Sequence, residues 1–252
     1  FSEEGVQEVS NGSFSQEGVQ LVTNGDFSSD TAWVKGTGWT ISGGKGIATN
    51  TTINSIYQDV LTLSKSYKVS FTISSIESGS LKIGIGINFS QEFTEVGTYT
   101  YYGTPSNDGF LRITPSNGTN ATIDNVSCVE VGQDWNLGTG ISIGDDEAIF
   151  TSVASGQQLA QLSLSGVVGK TYKISYEIKS RTEGAFSASI GTTISANQNS
   201  GVGVYTEYLT ATGTGAFYIR SRGTTSGSIT NISVQEVGEL KVDIGGAPVQ
   251  SI

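Results

Sequence analysis

Apolar and polar residues alternate along most of this chain. Tyr67, Val69, Phe71 and Ile73 fall on one side of an extended segment, with Lys68, Ser70 and Thr72 on the other, and Leu81-Lys82-Ile83-Gly84-Ile85-Gly86-Ile87 repeats the pattern. A period of two is the signature of half-buried strands. Gly43-Gly44 and Asn117-Gly118 punctuate these runs as hairpin turns. No stretch keeps a 3.6-residue period over a helical length. Short strands at regular spacing predict an all-β fold, an antiparallel two-sheet sandwich of jelly-roll or immunoglobulin-like type.

The pattern occurs twice. Ser66-Tyr67-Lys68-Val69-Ser70-Phe71-Thr72-Ile73 returns as Thr171-Tyr172-Lys173-Ile174-Ser175-Tyr176-Glu177-Ile178, an offset of 171 − 66 = 105. Val96-Gly97-Thr98-Tyr99-Thr100 returns from Val202 and Ile123-Asp124-Asn125-Val126-Ser127 from Ile229, both at offset 106. Ordered anchors at a nearly constant offset mark an internal duplication. The chain therefore divides into an N-terminal arm (1–20), module one (21–132), module two (133–238) and a C-terminal strand or tail (239–252).

The arm carries a shorter repeat. Glu4-Gly5-Val6-Gln7 with Asn11-Gly12-Ser13-Phe14 matches Glu17-Gly18-Val19-Gln20 with Asn24-Gly25-Asp26-Phe27 at offset 13, and Val6-Gln7-Glu8-Val9 is identical to Val234-Gln235-Glu236-Val237. It reads as the end of one module joined to the beginning of another, the body missing. In the tail, Leu240, Val242 and Ile244 alternate and stop at Gly245-Gly246. Strands without a partner seek another sheet edge, so Val6, Val9 and Phe14, and Leu240, Val242 and Ile244, are the expected assembly contacts to a neighbouring subunit.

Composition narrows the chemistry. The 252 residues include no His, no Met and a single Cys, which removes a histidine base, histidine metal ligands and a disulfide framework. Cys128 reads as a small buried hydrophobe rather than a reactive thiol. With 13 Lys+Arg against 23 Asp+Glu the net charge is −10, so a nucleic-acid partner is not expected. No apolar run reaches the roughly 18 residues of a membrane span, so membrane insertion is not expected either. The first residue is Phe1 rather than Met, suggesting a processed product or a slice of a longer chain.

Leu21-Val22-Thr23-Asn24-Gly25-Asp26-Phe27-Ser28, then Trp33 and Gly38-Trp39, then Tyr57-Gln58-Asp59-Val60 and the closing Ile123-Asp124-Asn125-Val126 together resemble carbohydrate-binding modules of the family 4/9/22 type, galactose-binding-like jelly rolls. The wording of residues 21–46 is most similar to repeats in virion structural proteins of tailed bacteriophages. The resemblance implies a saccharide face of exposed aromatic rings, with Trp33, Tyr57, Tyr101, Tyr208 and Tyr218 as candidates, set against packing or surface scatter. Tyr99 and Tyr205 correspond across the copies and suit core or corner roles, whereas the counterpart of Tyr101 is Glu207, which leaves Tyr101 the least explained by packing. The resemblance also implies a structural calcium in module one held by Asp26 and Asp124, against the favoured alternative of a turn Asp and a strand-end Asp. Module two has Asp134-Trp135-Asn136-Leu137 in place of the Asn-Gly-Asp-Phe opening and Thr230 in place of Asp124.

Other features read more plainly. Asp145-Asp146-Glu147 aligns with Gly43-Gly44-Lys45 and is a hairpin tip, and Arg220 and Arg222 share one outward strand face. The function expected is a non-enzymatic virion structural protein, a capsid-decoration, head-fibre or tail-fibre component. It would be displayed on the virion surface or extracellularly, have other virion proteins and copies of itself as partners, and adsorb weakly to glycans. The alternatives are a carbohydrate-binding pair of a secreted bacterial polysaccharide-active protein or adhesin, and a donor-strand filament subunit.

Overall fold

The computed structural model describes residues 4–238. The tail residues Leu240, Val242 and Ile244 lie outside the described residues. All regular structure described is β. The first ten strands are β1 (Glu4–Gln7), β2 (Glu17–Gln20), β3 (Val34–Lys35), β4 (Trp39–Ser42), β5 (Lys45–Thr51), β6 (Ile56–Asp59), β7 (Ser66–Ile85), β8 (Asn88–Phe89), β9 (Gly97–Gly103) and β10 (Phe110–Val131). They are followed by β11 (Asn136–Leu137), β12 (Ile141–Gly144), β13 (Glu147–Val153), β14 (Gln158–Ser165), β15 (Thr171–Ile190), β16 (Thr193–Ile194), β17 (Gly203–Thr210) and β18 (Ala216–Val237). They form two nine-stranded antiparallel sheets of the same topology, one per module, each folded into a β-sandwich.

The spine of module one is the long pair β7 and β10, in register from Val131↔Ser66 to Leu111↔Ile85. Along its other edge β10 pairs first with β6, then β5, then β2, while β7 carries β9 and β8. The register breaks between Ser116 and Asn120, where Asn117 and Gly118 are left-handed and Gly79 opposite has φ +76. Asn117-Gly118, expected as a hairpin turn, is thus a bulge inside β10, because the strand continues on both sides of it; such a bulge bends the pair locally. The inward residues predicted by alternation, Tyr67, Val69, Phe71, Ile73, Leu81, Ile83 and Ile85, are all buried and form one core with Leu111, Ile113, Ile123 and Cys128. In module two β15 and β18 are the same spine, and Phe150 of β13 packs edge-on against Phe186 of β15, ring centroids 5.0 Å apart.

Burial pushes the Cys128 thiol up to about 12, so it stays protonated and shielded at neutral pH. Native protein at pH 8 should resist iodoacetamide for hours and alkylate stoichiometrically once denatured, which mass spectrometry would read directly.

The division between modules differs from the sequence expectation. The described chain separates into one unit of Glu17–Val131 with Ile143–Asp145 and another that takes in the described parts of Phe1–Gln16 and of the residues from Asp146 onward, together with Gly132–Ser142. Residues 4–16 are therefore no free arm. They are the opening of module two, placed in the chain ahead of the whole of module one, and residues 17–20 open module one itself. β1 lies antiparallel on β18 (Gln7↔Gln235) as β2 lies on β10 (Gln20↔Val129).

The two openings are seated by the same devices. Asn11 and Phe14 are left-handed (φ 48 and 57), as are Asn24 and Phe27 (φ 56 and 51), so each Asn-Gly-x-Phe turns its phenyl inward. A left-handed Phe is strained by about 1–2 kcal/mol, and burial of its ring offsets that cost. Phe14 packs at a tilt against Trp135 and Phe27 against Trp33, ring centroids 5.3 Å apart in each pair. The indole nitrogens donate to Asn11 O (3.0 Å) and Asn24 O (2.9 Å). A buried glutamine then clamps each segment through its amide: Gln161 accepts from Ser10 N (3.0 Å) and donates to Ser10 O (2.8 Å), and Gln58 does the same with Thr23 at 3.1 and 2.7 Å. Gln161→Leu removes both hydrogen bonds to the part-buried main chain of Ser10 and should cost module two about 1–3 kcal/mol, read by chemical denaturation.

Two assembly contacts are corrected by this arrangement. Val9 and Phe14 are core residues of their own module, so neither side chain is available to a neighbouring subunit. Only Val6, 80% exposed, points outward from β1.

Candidate functional site

The five aromatic candidates divide between the modules, Trp33, Tyr57 and Tyr101 in module one and Tyr208 and Tyr218 in module two. Trp33 is 6% exposed and bound at both its ring face and its nitrogen, which corrects its assignment as a sugar platform. Tyr101 is half-buried against the core of module one, and burial raises its phenol pKa, so packing accounts for it. Tyr208 stands 58% exposed on β17, in register with Lys173. Tyr57 meets Phe110 edge-on at 5.1 Å, and the Arg112 guanidinium lies 4.8 Å over that Phe110 ring. Tyr218 lies under Arg220, whose guanidinium is 4.9 Å from the ring centroid.

Tyr99 and Tyr205 hold the corner role expected of them: their hydroxyls donate to Glu95 O (2.8 Å) and Gly201 O (2.9 Å), four residues back in each case. Asp145 and Asp146 are both left-handed (φ 51 and 59) like Gly43 and Gly44 (61 and 71), the conformation of a two-residue hairpin tip. Asp124 is ion-paired with Lys45, and Asp26 accepts from Ser28 N at 3.2 Å, a bond that holds its carboxyl below the usual range. The two proposed calcium ligands thus each have a partner of their own.

The most distinctive surface is on module two, where β14, β18 and β15 lie side by side. Phe217, Ile219 and Ser221 point into the core, which leaves Tyr218, Arg220 and Arg222 on the open face. Across the strand pair Tyr218 faces Ser189, Arg220 faces Ser187 and Arg222 faces Ala185. These small residues form a floor, and the serines are fully buried beneath the longer side chains. Arg220 Nε donates to Ser189 Oγ (3.0 Å) and Arg222 Nε to Ser187 Oγ (2.8 Å). Each guanidinium is therefore oriented through Nε, and among the described residues its terminal nitrogens donate to no other group. Burial, and Arg222 alongside, lower the Arg220 pKa below the ordinary guanidinium value.

The equivalent face of module one is neutralised. Arg112 pairs with Asp108 (2.8 and 3.0 Å), and Lys82 pairs with Glu92 at 3.0 Å. Arg220 and Arg222 have no carboxylate partner among the described residues. Alternation alone sets both on one face; the buried serines under them come from β15, 31 and 35 residues away in sequence.

No family model matches the sequence, and no curated protein matches it. Among solved structures, the N-terminal CBM22-1–CBM22-2 tandem domain of Xyn10C from Paenibacillus barcinonensis is similar to it, with 10% identity over 88% of this chain and 99% of that one and a TM-score of 0.35.

Proposed function

We propose that this chain is a non-catalytic binding and display protein whose second module takes an anionic, hydroxyl-rich ligand of the acidic-polysaccharide class. The observation that carries the reading is the pair Arg220 and Arg222, two adjacent guanidiniums without acidic partners among the described residues of a chain of net charge −10. Guanidinium binds carboxylate or sulfate through two parallel N–H donors. The bonds to Ser187 and Ser189 pre-orient both groups, and Tyr218 adds an apolar ring edge for a sugar. Hydrolysis of a glycosidic bond needs two carboxylates flanking a cleft, whereas this face presents cations.

The context is a virion structural component, displayed on the particle surface or extracellularly, with other virion proteins and copies of itself as neighbours. It is supported by the similarity of residues 21–46 to phage virion repeats. Display in many copies converts weak single-site adsorption into useful avidity.

The double variant Arg220→Ala/Arg222→Ala should lose tenfold or more in affinity for alginate or carrageenan by isothermal titration, and wild-type binding should weaken with salt. Unchanged affinity, or binding to neutral glucans only, would sink the acidic-ligand reading. Immunogold labelling of the native particle tests the display role separately.

A further inference from the structure

At one place the two modules differ in a way their shared fold does not require. In module one Phe71 lies opposite Tyr99, Val69 opposite Tyr101, and Leu81 bridges to Phe93. Phe71, Phe93 and Tyr99 form an aromatic plug, with ring centroids 4.2–6.0 Å apart. In module two the same register puts Tyr176 opposite Tyr205, Ile174 opposite Glu207, and Phe186 against Asn199. Phe71, Phe93 and Tyr101 are thus replaced by Tyr176, Asn199 and Glu207. An apolar solution is built into the sister module, so a carboxylate here costs stability the scaffold did not have to give up.

The polar set is satisfied except at one atom. Glu207 is 6% exposed, and its Oε2 accepts from Ser195 Oγ and, at 3.4 Å, from Asn197 Nδ2. Ser195 Oγ in turn accepts from Asn197 N at 3.0 Å, and Asn199 Nδ2 donates to the Tyr176 hydroxyl at 2.7 Å. Glu207 Oε1 is buried without any hydrogen-bond partner. A buried carboxylate oxygen left bare in this way points to a bound species.

We propose that Glu207, Ser195 and Asn197 are the ligand set of a calcium site in module two, under the turn that links β16 to β17. Glu207 Oε1 supplies the charge, Ser195 Oγ has a lone pair left, and a half-turn of the Asn197 amide exchanges its long bond for an oxygen ligand. Asn197 is exposed, and its half-turn opens the buried Oε1 to solvent, from which the ion and the waters that complete its shell enter. All donors are hard oxygens, which suits calcium, and the irregular set does not meet the octahedron magnesium demands. One carboxylate places the affinity in the weak class of extracellular modules, with Kd of about 10⁻⁴–10⁻³ M.

The test is thermal unfolding of the full chain in 10 mM calcium, magnesium or sodium chloride at matched ionic strength, with Glu207→Gln, Asn197→Ala and Asp124→Asn as variants. Calcium should raise the transition of module two by on the order of 5 °C, and magnesium and sodium should not. Glu207→Gln and the surface change Asn197→Ala should both abolish the shift, and Asp124→Asn in module one should leave it intact. A wild type blind to calcium, a shift that persists in Glu207→Gln, or one that disappears only in Asp124→Asn would overturn the proposal.

Discussion

Deleting residues 1–16 should unfold module two and leave module one folded, although module one is the nearer of the two in sequence. The deletion removes Phe14 and Val9 from the core, strand β1, and the main-chain bonds Glu8 N to Val234 O (2.8 Å) and Ile232 N to Gly12 O (2.9 Å). It also strands the Trp135 indole nitrogen and both amide groups of Gln161, which is fully buried. Truncating a buried Phe costs about 3–5 kcal/mol, and each stranded buried polar group about 1–3 more. Domain stabilities are about 5–15 kcal/mol, so the sum is enough to unfold the module. Phe14→Ala alone should lower module two by about 3–5 kcal/mol, and Phe27→Ala should do the same to module one. Hydrogen exchange resolves the two: amides of 171–190 should lose protection in the deletion while those of 66–85 keep it. A synthetic peptide of residues 4–16 should restore protection in trans. Retained protection of 171–190 after the deletion would mean that these residues are an accessory arm after all.

Local chemistry explains which parts of this architecture were legible. Alternation placed Tyr67, Val69, Phe71, Ile73, Leu81, Ile83 and Ile85 of β7 and, through the repeat, Tyr172, Ile174, Tyr176 and Ile178 of β15, because side-chain direction in a strand is set within a few residues. It did not place Ala185–Ile190, which is buried without alternation. Turn chemistry likewise placed the tips at 43–44 and 145–146. Which sheet a segment joins is a long-range matter that no local period encodes. The surplus Asn11-Gly12-Ser13-Phe14 and the missing opening before Trp135 were both visible in the sequence, and they matched one to one. They were not joined because about 120 residues of another module intervene. The same distinction holds at the candidate sites. Alternation puts Arg220 and Arg222 on one face, and it also puts Glu207 in phase with the inward Tyr205, a carboxylate at a core position. Whether a charge has a partner depends on strands distant in sequence. The lack of a carboxylate partner for the arginines among the described residues and the bare Glu207 Oε1 therefore depend on the fold.

Two single-atom changes should dissect the nested chain most sharply. A Cβ on Gly12 would sit 2.0 Å from Ile232 O, and one on Gly25 would sit 2.0 Å from Val126 O. Both obstacles are backbone, carried by bulges where Asn231 and Asn125 are left-handed, so neither can be relieved by turning a side chain. To make room, the opening segment must lift from the last strand, which stretches Ile232 N to Gly12 O in one module and Val126 N to Gly25 O in the other, each 2.9 Å. Lifting also draws Phe14 or Phe27 part-way out of its socket. The overpacking and the lost bond together should cost about 3 kcal/mol or more. By differential scanning calorimetry Gly12→Ala should lower only the transition assigned to module two, and Gly25→Ala only that of module one. The two glycines are thirteen positions apart. If both variants lowered the same transition, the assignment of residues 4–16 to module two would fail. If they act on different transitions, the border between modules runs between Gly12 and Gly25, as the pairing of β1 with β18 and of β2 with β10 requires.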